Sequence, residues 1–247
     1  MSKEERYSGY DSFAWFYDRY WSSEVPPQIM TVIDRLLVPS LPRGATVLDL
    51  CCGTGYTCGE LIKRGFEVTG LDGSKEMLRH ARRQAPGARF MLADARSFDL
   101  PPVHQGIIST FDSLNHVLTV DELTTVFRNA HRALAPGGLF LFDMNMEKGF
   151  LLHWVDCFAI VRDREVCVMT GAYDRKQRIG RYDITMFRGR GKTWRRTDAE
   201  IIERCYTAHE IRRALRTAGF KEISTYDAER DMGLTEHVGR TFFLARR

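Results

Sequence analysis

An apolar strand that runs through a single carboxylate straight into a glycine turn constrains this chain more than any other stretch of it. Residues 45–55 read Ala-Thr-Val-Leu-Asp-Leu-Cys-Cys-Gly-Thr-Gly. Thr46-Val47-Leu48 has the character of a parallel strand buried on both faces, and Gly53 and Gly55 let the backbone turn tightly and approach a ligand. The segment from Tyr56 to Arg64 reads as a helix stopped by Gly65. A second apolar strand, Glu67 to Leu71, ends at Asp72. That sets another acid beside the first turn at the carboxyl ends of adjacent strands, where a carboxylate can accept both hydroxyls of a ribose.

A dinucleotide site would need Gly-x-Gly-x-x-Gly, but the frame that begins at Gly53 puts Cys58 where the third glycine belongs. Asp49 argues the same way, because a carboxylate entering the turn repels a pyrophosphate and suits a cationic amino group. With Ala93-Asp94-Ala95 after a third strand, the segment resembles the class I S-adenosylmethionine-dependent methyltransferases. Their acidic residue and Gly-x-Gly-x-Gly match here as Asp49-Leu50-Cys51-Cys52-Gly53-Thr54-Gly55, with Cys51 in place of the first glycine. The resemblance covers residues 43–144. It implies S-adenosylmethionine as cofactor, with Asp49, Cys51, Gly53 and Gly55 at its methionine end. It further implies Asp72 and Gly73 at the ribose, Met77 on the adenine ring, Asp94 and Ala95 at the exocyclic amine, and Phe111 near the sulfonium. Taken singly, Asp94 could instead cap a helix, Met77 could be core and Asp49 a buried hydrogen-bonded acid.

Strand and helix signals alternate along the first half and predict a parallel sheet with helices on both faces. Ser74 caps a helix to about Arg83, Arg89–Leu92 and Gly106–Thr110 are strands, Thr119–Glu122 is a capping box, and Leu139–Asp143 is a fifth strand. Beyond residue 150 the pattern changes to an antiparallel meander of Val166–Tyr173, Tyr182–Arg188 and Thr193–Arg204. A second capping box at Thr207–Glu210 opens a helix ending at Gly219, and strands Glu222–Tyr226 and Arg240–Leu244 close the chain. The expected fold is α/β, a Rossmann-like seven-stranded sheet with helices on both faces and an inserted antiparallel β meander. We divide it into an amino-terminal helical lid (1–40), a cofactor-binding α/β core (41–150), an insertion that walls the acceptor pocket (151–206), and a helix and strand hairpin that complete the core (207–247).

At 247 residues and 44% hydrophobic, the chain can bury one enzyme-sized core. Its net charge of +4, from 36 basic and 32 acidic residues, is too mild to argue for nucleic acid. The start has no apolar signal core and no stretch approaches a membrane span, so a soluble cytoplasmic protein with no membrane partner is expected. The six cysteines form no Cys-x-x-Cys pair and read as reduced packing residues, with Cys51 and Cys52 on opposite sides of an extended backbone and no metal centre.

The acceptor site should lie where Phe111-Asp112-Ser113-Leu114-Asn115-His116 leaves the fourth strand. There Asp112 and His116 are candidate proton acceptors, His116 with a pKa near 6–7, against a bland role in capping the next turn. Eight aromatics crowd Tyr7 to Trp21. Phe13, Phe16, Tyr17 and Tyr20 share one helical face, which packs on the domain or lids the cofactor. Ala14-Trp15-Phe16-Tyr17-Asp18 is similar to a segment of small-molecule methyltransferases, which makes Tyr17 a cofactor contact. Arg188, Arg190, Lys192, Arg195 and Arg196 read either as an anion site or as a solvated hairpin. The chemistry expected is methyl transfer to nitrogen or oxygen of a small-molecule acceptor. An RNA methyltransferase, an NAD-dependent oxidoreductase and a non-catalytic scaffold stand as alternatives, and the oligomeric state is open.

Overall fold

The computed structural model describes residues 5–22 and 26–247, so residues 1–4 and 23–25 of the expected lid lie outside the described residues. Helices α1 (Glu5–Tyr20) and α2 (Pro26–Leu36) precede the alternating series. That series is β1 (Thr46–Leu50), α3 (Tyr56–Lys63), β2 (Glu67–Asp72), α4 (Lys75–Gln84), β3 (Arg89–Leu92), β4 (His104–Ser109), α5 (Val120–Ala133) and β5 (Leu134–Asn145). After α6 (Glu147–His153) come β6 (Cys157–Arg162), β7 (Glu165–Asp174), β8 (Ile179–Arg190) and β9 (Thr193–Arg204). Helix α7 (Ala208–Thr217) and strands β10 (Lys221–Asp227) and β11 (Arg240–Arg246) complete the chain.

The larger sheet has the order β10-β11-β5-β4-β1-β2-β3. Strands β1 to β5 pair in parallel, and only β11 runs antiparallel to its neighbours. The chain reverses its winding between β1 and β4, which opens a crevice at their carboxyl ends. Apolar cores fill both faces of this sheet. The second sheet, β6-β7-β8-β9, is antiparallel throughout. It contains one strand more than the sequence pattern indicates, because β6 is an exposed edge whose residues lack the alternation that identifies a half-buried strand. Helix α6 has no apolar run long enough to announce it either.

Aromatic helix α1 lies between the two sheets. Phe13 and Phe16 are buried against Met169, Ile184, Met186 and Ile201 of the second sheet, and Tyr17 and Tyr20 pack beside them, so the shared helical face is a packing face. Polar groups tie the other side of α1 to α4: the Asp11 carboxylate accepts the Ser74 hydroxyl (2.5 Å) and the Glu76 amide (3.2 Å). Thr207 and Glu210 form the reciprocal capping box of α7. At α5 the Thr119 hydroxyl accepts the Glu122 amide, while the Glu122 carboxylate also receives Arg96. No described helix is long and apolar enough to cross a membrane.

Gly55 begins α3 at φ +80°, and a Cβ built there would stand 2.9 Å from both Cα and Cβ of Ala81 on α4. A Cβ at Gly53, at φ +53°, would meet nothing within 4 Å. Gly55→Ala should therefore cost both backbone strain of about 1–2 kcal/mol and overpacking of about 1–3 kcal/mol, whereas Gly53→Ala pays only the first. Urea unfolding of the two variants checks this. The Gly55→Ala midpoint should fall clearly below that of Gly53→Ala at unchanged slope.

Candidate functional site

The site begins where β1 and β2 end. Asp49, inside β1, is 2% exposed and accepts a hydrogen bond from the Cys58 thiol (3.2 Å); burial pushes its carboxyl up to about 7. Cys51 follows at φ +62°. That left-handed backbone explains why glycine is usual there, and it corrects the extended backbone expected for Cys51 and Cys52. All six cysteines are free thiols, four of them buried. Asp72 ends β2 and closes the glycine turn, its two oxygens accepting the Gly53 amide (2.8 Å) and the Ser74 amide (2.8 Å). Burial raises it to about 6, against the pull of those amides. It braces the loop from inside, while each oxygen keeps a second lone pair for a ligand.

Met77 is buried on α4 and faces the same cavity as Gly73 and Ala95. Asp94 accepts the Arg96 amide (2.8 Å) and forms an ion pair with the Arg96 guanidinium (2.5 Å). It stabilises a turn rather than capping a helix. Gly55 is the one expected site residue that does not line the cavity, because its missing side chain makes room for Ala81. The remaining set fits S-adenosylmethionine on physical grounds. A buried carboxyl raised to about 7, chiefly by burial, gains from a cation, and the space above Gly53 is open to a ligand's backbone-close approach.

At the end of β4 the backbone is strained twice in succession, with Phe111 at φ +63° and Asp112 at φ +48°. Asp143, fully buried in β5, holds both: its carboxylate accepts the Phe111 amide (2.8 Å) and the Asp112 amide (2.9 Å) and pairs with Arg240 of β11. Arg240 also meets the Asp112 carboxylate (3.2 Å). Against the desolvation that would neutralise it, these two acids keep Arg240 charged. Asp112 thus spends its charge on an arginine, which argues against the free proton acceptor expected from the sequence.

His116 is likewise committed. Its Nδ1–H donates to the Ile202 carbonyl on β9 (3.0 Å), which leaves Nε2 to accept the Tyr10 hydroxyl of α1 (2.8 Å). Burial lowers its pKa below the ordinary 6.5, so the expected titration near 6–7 is corrected downward and the ring is neutral. It caps no turn; it joins the end of β4 to β9 and α1. Sequence reading missed Glu203, whose Oε1 lies 3.4 Å from His116 Nε2 and whose side chain faces the cavity, 4% exposed. The signal was present in Ile201-Ile202-Glu203-Arg204-Cys205. Alternation points residues 201, 203 and 205 inward together, so an acid stands where the pattern requires an apolar residue.

These groups share one cavity of about 880 Å³, lined also by Tyr17, Phe111 and Asp112 and walled by β7, β8 and β9. Among the described residues eight acids line it (Asp49, Asp72, Asp94, Asp112, Asp183, Asp198, Glu200 and Glu203), four of them paired with arginines: Asp94 with Arg96, Asp112 with Arg240, Asp198 with Arg196 and Glu200 with Arg181. None of the basic residues at 188–196 contributes to the lining. Arg188 stacks on Trp15, 3.7 Å from the ring centre, and Arg196 pairs with Asp198 (2.9 Å).

Residues 47–138 match the family model described as a methyltransferase domain. The chain is 27% identical over 243 residues to the putative methyltransferase YqeM of Bacillus subtilis (strain 168), covering 96% of this chain and 97% of that protein. Over 123 residues it is 30% identical to the dTDP-3-amino-3,4,6-trideoxy-alpha-D-glucopyranose N,N-dimethyltransferase of Streptomyces venezuelae, covering 49% of this chain and 52% of that protein. Among solved structures it superposes at a TM-score of 0.72 on S-adenosylmethionine-bound CalS10, an amino pentose methyltransferase from Micromonospora echinaspora. That match is 25% identical and covers 96% of each chain.

Because the folded chain holds a proton on Asp49 up to about pH 7 and the unfolded chain releases it near 3.8, this group makes stability fall as pH rises from about 4 to about 7. Asp49→Asn should abolish that loss. The variant should melt several degrees above the wild type at pH 8, a gain on the order of 2–4 kcal/mol, and match it near pH 4. Its affinity for S-adenosylhomocysteine should fall at least tenfold, by the roughly 1.5–3 kcal/mol of a charge-assisted hydrogen bond. Calorimetric melting and titration check both.

Proposed function

We propose that this chain, a class I S-adenosylmethionine-dependent methyltransferase, methylates the nitrogen of a small-molecule amine. The observation that carries the choice of nitrogen is the carboxylate lining of the cavity. Four of the eight acids are matched by arginines, and the other four, Asp49, Asp72, Asp183 and Glu203, leave an excess of acidic groups that favours cationic ligands, and an amine enters as a cation. The same lining disfavours RNA, whose phosphates it repels, and the guanidinium groups that an RNA reading needs are not part of it. It also disfavours a hydroxyl acceptor. A neutral alcohol needs a strong base, and burial makes His116 a weaker one.

The bound cofactor supplies a methyl group on a positively charged sulfur, a good leaving group. In this reading Asp49 receives the cofactor's ammonium, Asp72 its ribose hydroxyls, Met77 its adenine and Asp94 the exocyclic amine. Gly53 lets the chain approach closely, and Phe111 and Tyr17 border the sulfur. Helix α1 acts as the lid and the second sheet as the acceptor's wall. Both exclude water and align the nitrogen, which for well-oriented reactants is worth roughly 7–11 kcal/mol. Tyr10, fixed by His116, orients the acceptor. His116 is a positioning residue in this scheme, because its Nε2 lone pair is occupied by the Tyr10 hydroxyl. Asp112 positions the turn through Arg240.

Two measurements test the reading. Incubation of metabolite pools with methyl-labelled cofactor, followed by mass-spectrometric fragmentation of labelled products, should give N-methyl compounds of low mass. O-methyl products or label in RNA would overturn it. Once the acceptor is known, Tyr10→Phe and His116→Asn should each lower kcat about tenfold or more while leaving S-adenosylhomocysteine affinity nearly unchanged. The double variant should lose little beyond either single one, since the pair acts as a unit. The pH profile should show no His116 inflection at 6–7.

A further inference from the structure

Glu203 is a buried acid that the fold does not need. It stands on β9 opposite Gly180 of β8, on the inward face where Ile201 and Cys205 pack against apolar neighbours. Its Oε2 is buried and has no hydrogen-bond partner among the described residues, and its Oε1 reaches only the edge of His116 at 3.4 Å. His116 Nε2 is already taken by the Tyr10 hydroxyl. Burying a carboxyl without a partner is costly, and an apolar residue would satisfy the same face. The uncompensated atom belongs to a side chain that lines the cavity beside Tyr10, His116 and Tyr182.

We propose that Glu203 is the carboxyl group that receives the acceptor's ammonium and takes its proton, making it a catalytic residue for nitrogen methylation. The inference rests on the nitrogen reading and adds to it the group that unmasks the nucleophile. An ammonium has no lone pair and cannot attack. Beside Glu203 the N–H bond breaks with its electrons kept on nitrogen, the proton joins a carboxylate oxygen, and the products are a neutral amine and a neutral carboxylic acid. Desolvation favours that neutral pair over the ion pair, because burial holds the Glu203 carboxyl well above the usual carboxylate range. Asp112 and Asp143 push in the same direction, and Arg240 opposes them. The freed lone pair then forms the N–C bond as the S–C bond breaks with its electrons on sulfur. The nitrogen takes up the positive charge, and Glu203 returns its proton to solvent as product leaves.

The test uses the full chain saturated with S-adenosylhomocysteine and a matched pair of probes, cyclohexylamine and cyclohexanol, which differ only in the group presented. Titration calorimetry at pH 7 in buffers of different ionisation enthalpy should show the amine binding at least tenfold more tightly than the alcohol, with no net release of protons to the buffer, because the ammonium's proton stays in the complex on Glu203. Glu203→Gln should abolish the preference, and Glu203→Asp should restore part of it. Glu203→Leu, which suits the apolar face, should fold with undiminished melting temperature and also lose the preference, separating recognition from folding. A wild type with no preference for the amine, or a Glu203→Gln variant that keeps it, would overturn the assignment. Failure of Glu203 and failure of the nitrogen reading are distinguishable. N-methyl product at full rate from Glu203→Gln removes Glu203 alone, whereas O-methyl product removes the nitrogen reading beneath it.

Discussion

The Asp143 carboxylate, buried completely in β5, is the constraint on which the acceptor side of the molecule depends. Left-handed backbone at two consecutive non-glycine residues costs on the order of 1–2 kcal/mol each and persists only where something fixes it. Asp143 fixes it by accepting both amides, and Arg240 from β11 compensates the charge. The central strands, the antiparallel return strand and the turn after β4 are thereby one electrostatic unit. Removing any member would leave an uncompensated buried charge, which is more damaging than the loss of an ordinary surface ion pair.

That turn in turn anchors the second sheet. Asn115, fully buried, donates to the carbonyls of Asn145 (3.0 Å) and Arg204 (2.8 Å) and accepts the Asn145 amide (3.0 Å). His116 reaches the Ile202 carbonyl two residues along the same strand. Side chains from one short turn therefore hold β9 against the larger sheet, and β9 delivers Glu203 between them. Helix α1 closes the arrangement from above, with Tyr10 on His116 and Phe13 and Phe16 in the apolar layer beneath. A cavity formed by one sheet's edge, another sheet's face and an aromatic helix can exclude water without being preformed by any one of them.

Much of the cofactor half was legible because it is local. The acid of β1, the glycines eight residues or fewer away, and the acid ending β2 lie in two consecutive strand-turn units, and parallel pairing of adjacent strands brings their ends together whatever the rest of the chain does. Helices α3, α4, α5 and α7 announced themselves through caps and glycine or proline stops for the same reason. Gly55 was legible as a glycine but not in its purpose, since what excludes its side chain is Ala81, twenty-six residues on and in another helix. Edge strand β6 and short α6 were not legible, because exposed or brief elements carry little hydrophobic periodicity.

The sequence by itself determined the layered α/β class, the glycine turn with its two acids and the packing face of the aromatic helix, all set by steric and apolar patterns within a few dozen residues. Tertiary structure alone decided which charged groups are spent and which are left over. Asp112 looked available in the sequence and is paired with Arg240, and the basic hairpin stays out of the cavity lining, whereas Glu203 looked like one more strand residue and ends buried in the cavity with an oxygen that has no partner among the described residues. The physical reason is that a side chain's charge, solvation and proton affinity depend on neighbours supplied by strands up to about 130 residues away, as Arg240 is from Asp112. No local pattern encodes those neighbours.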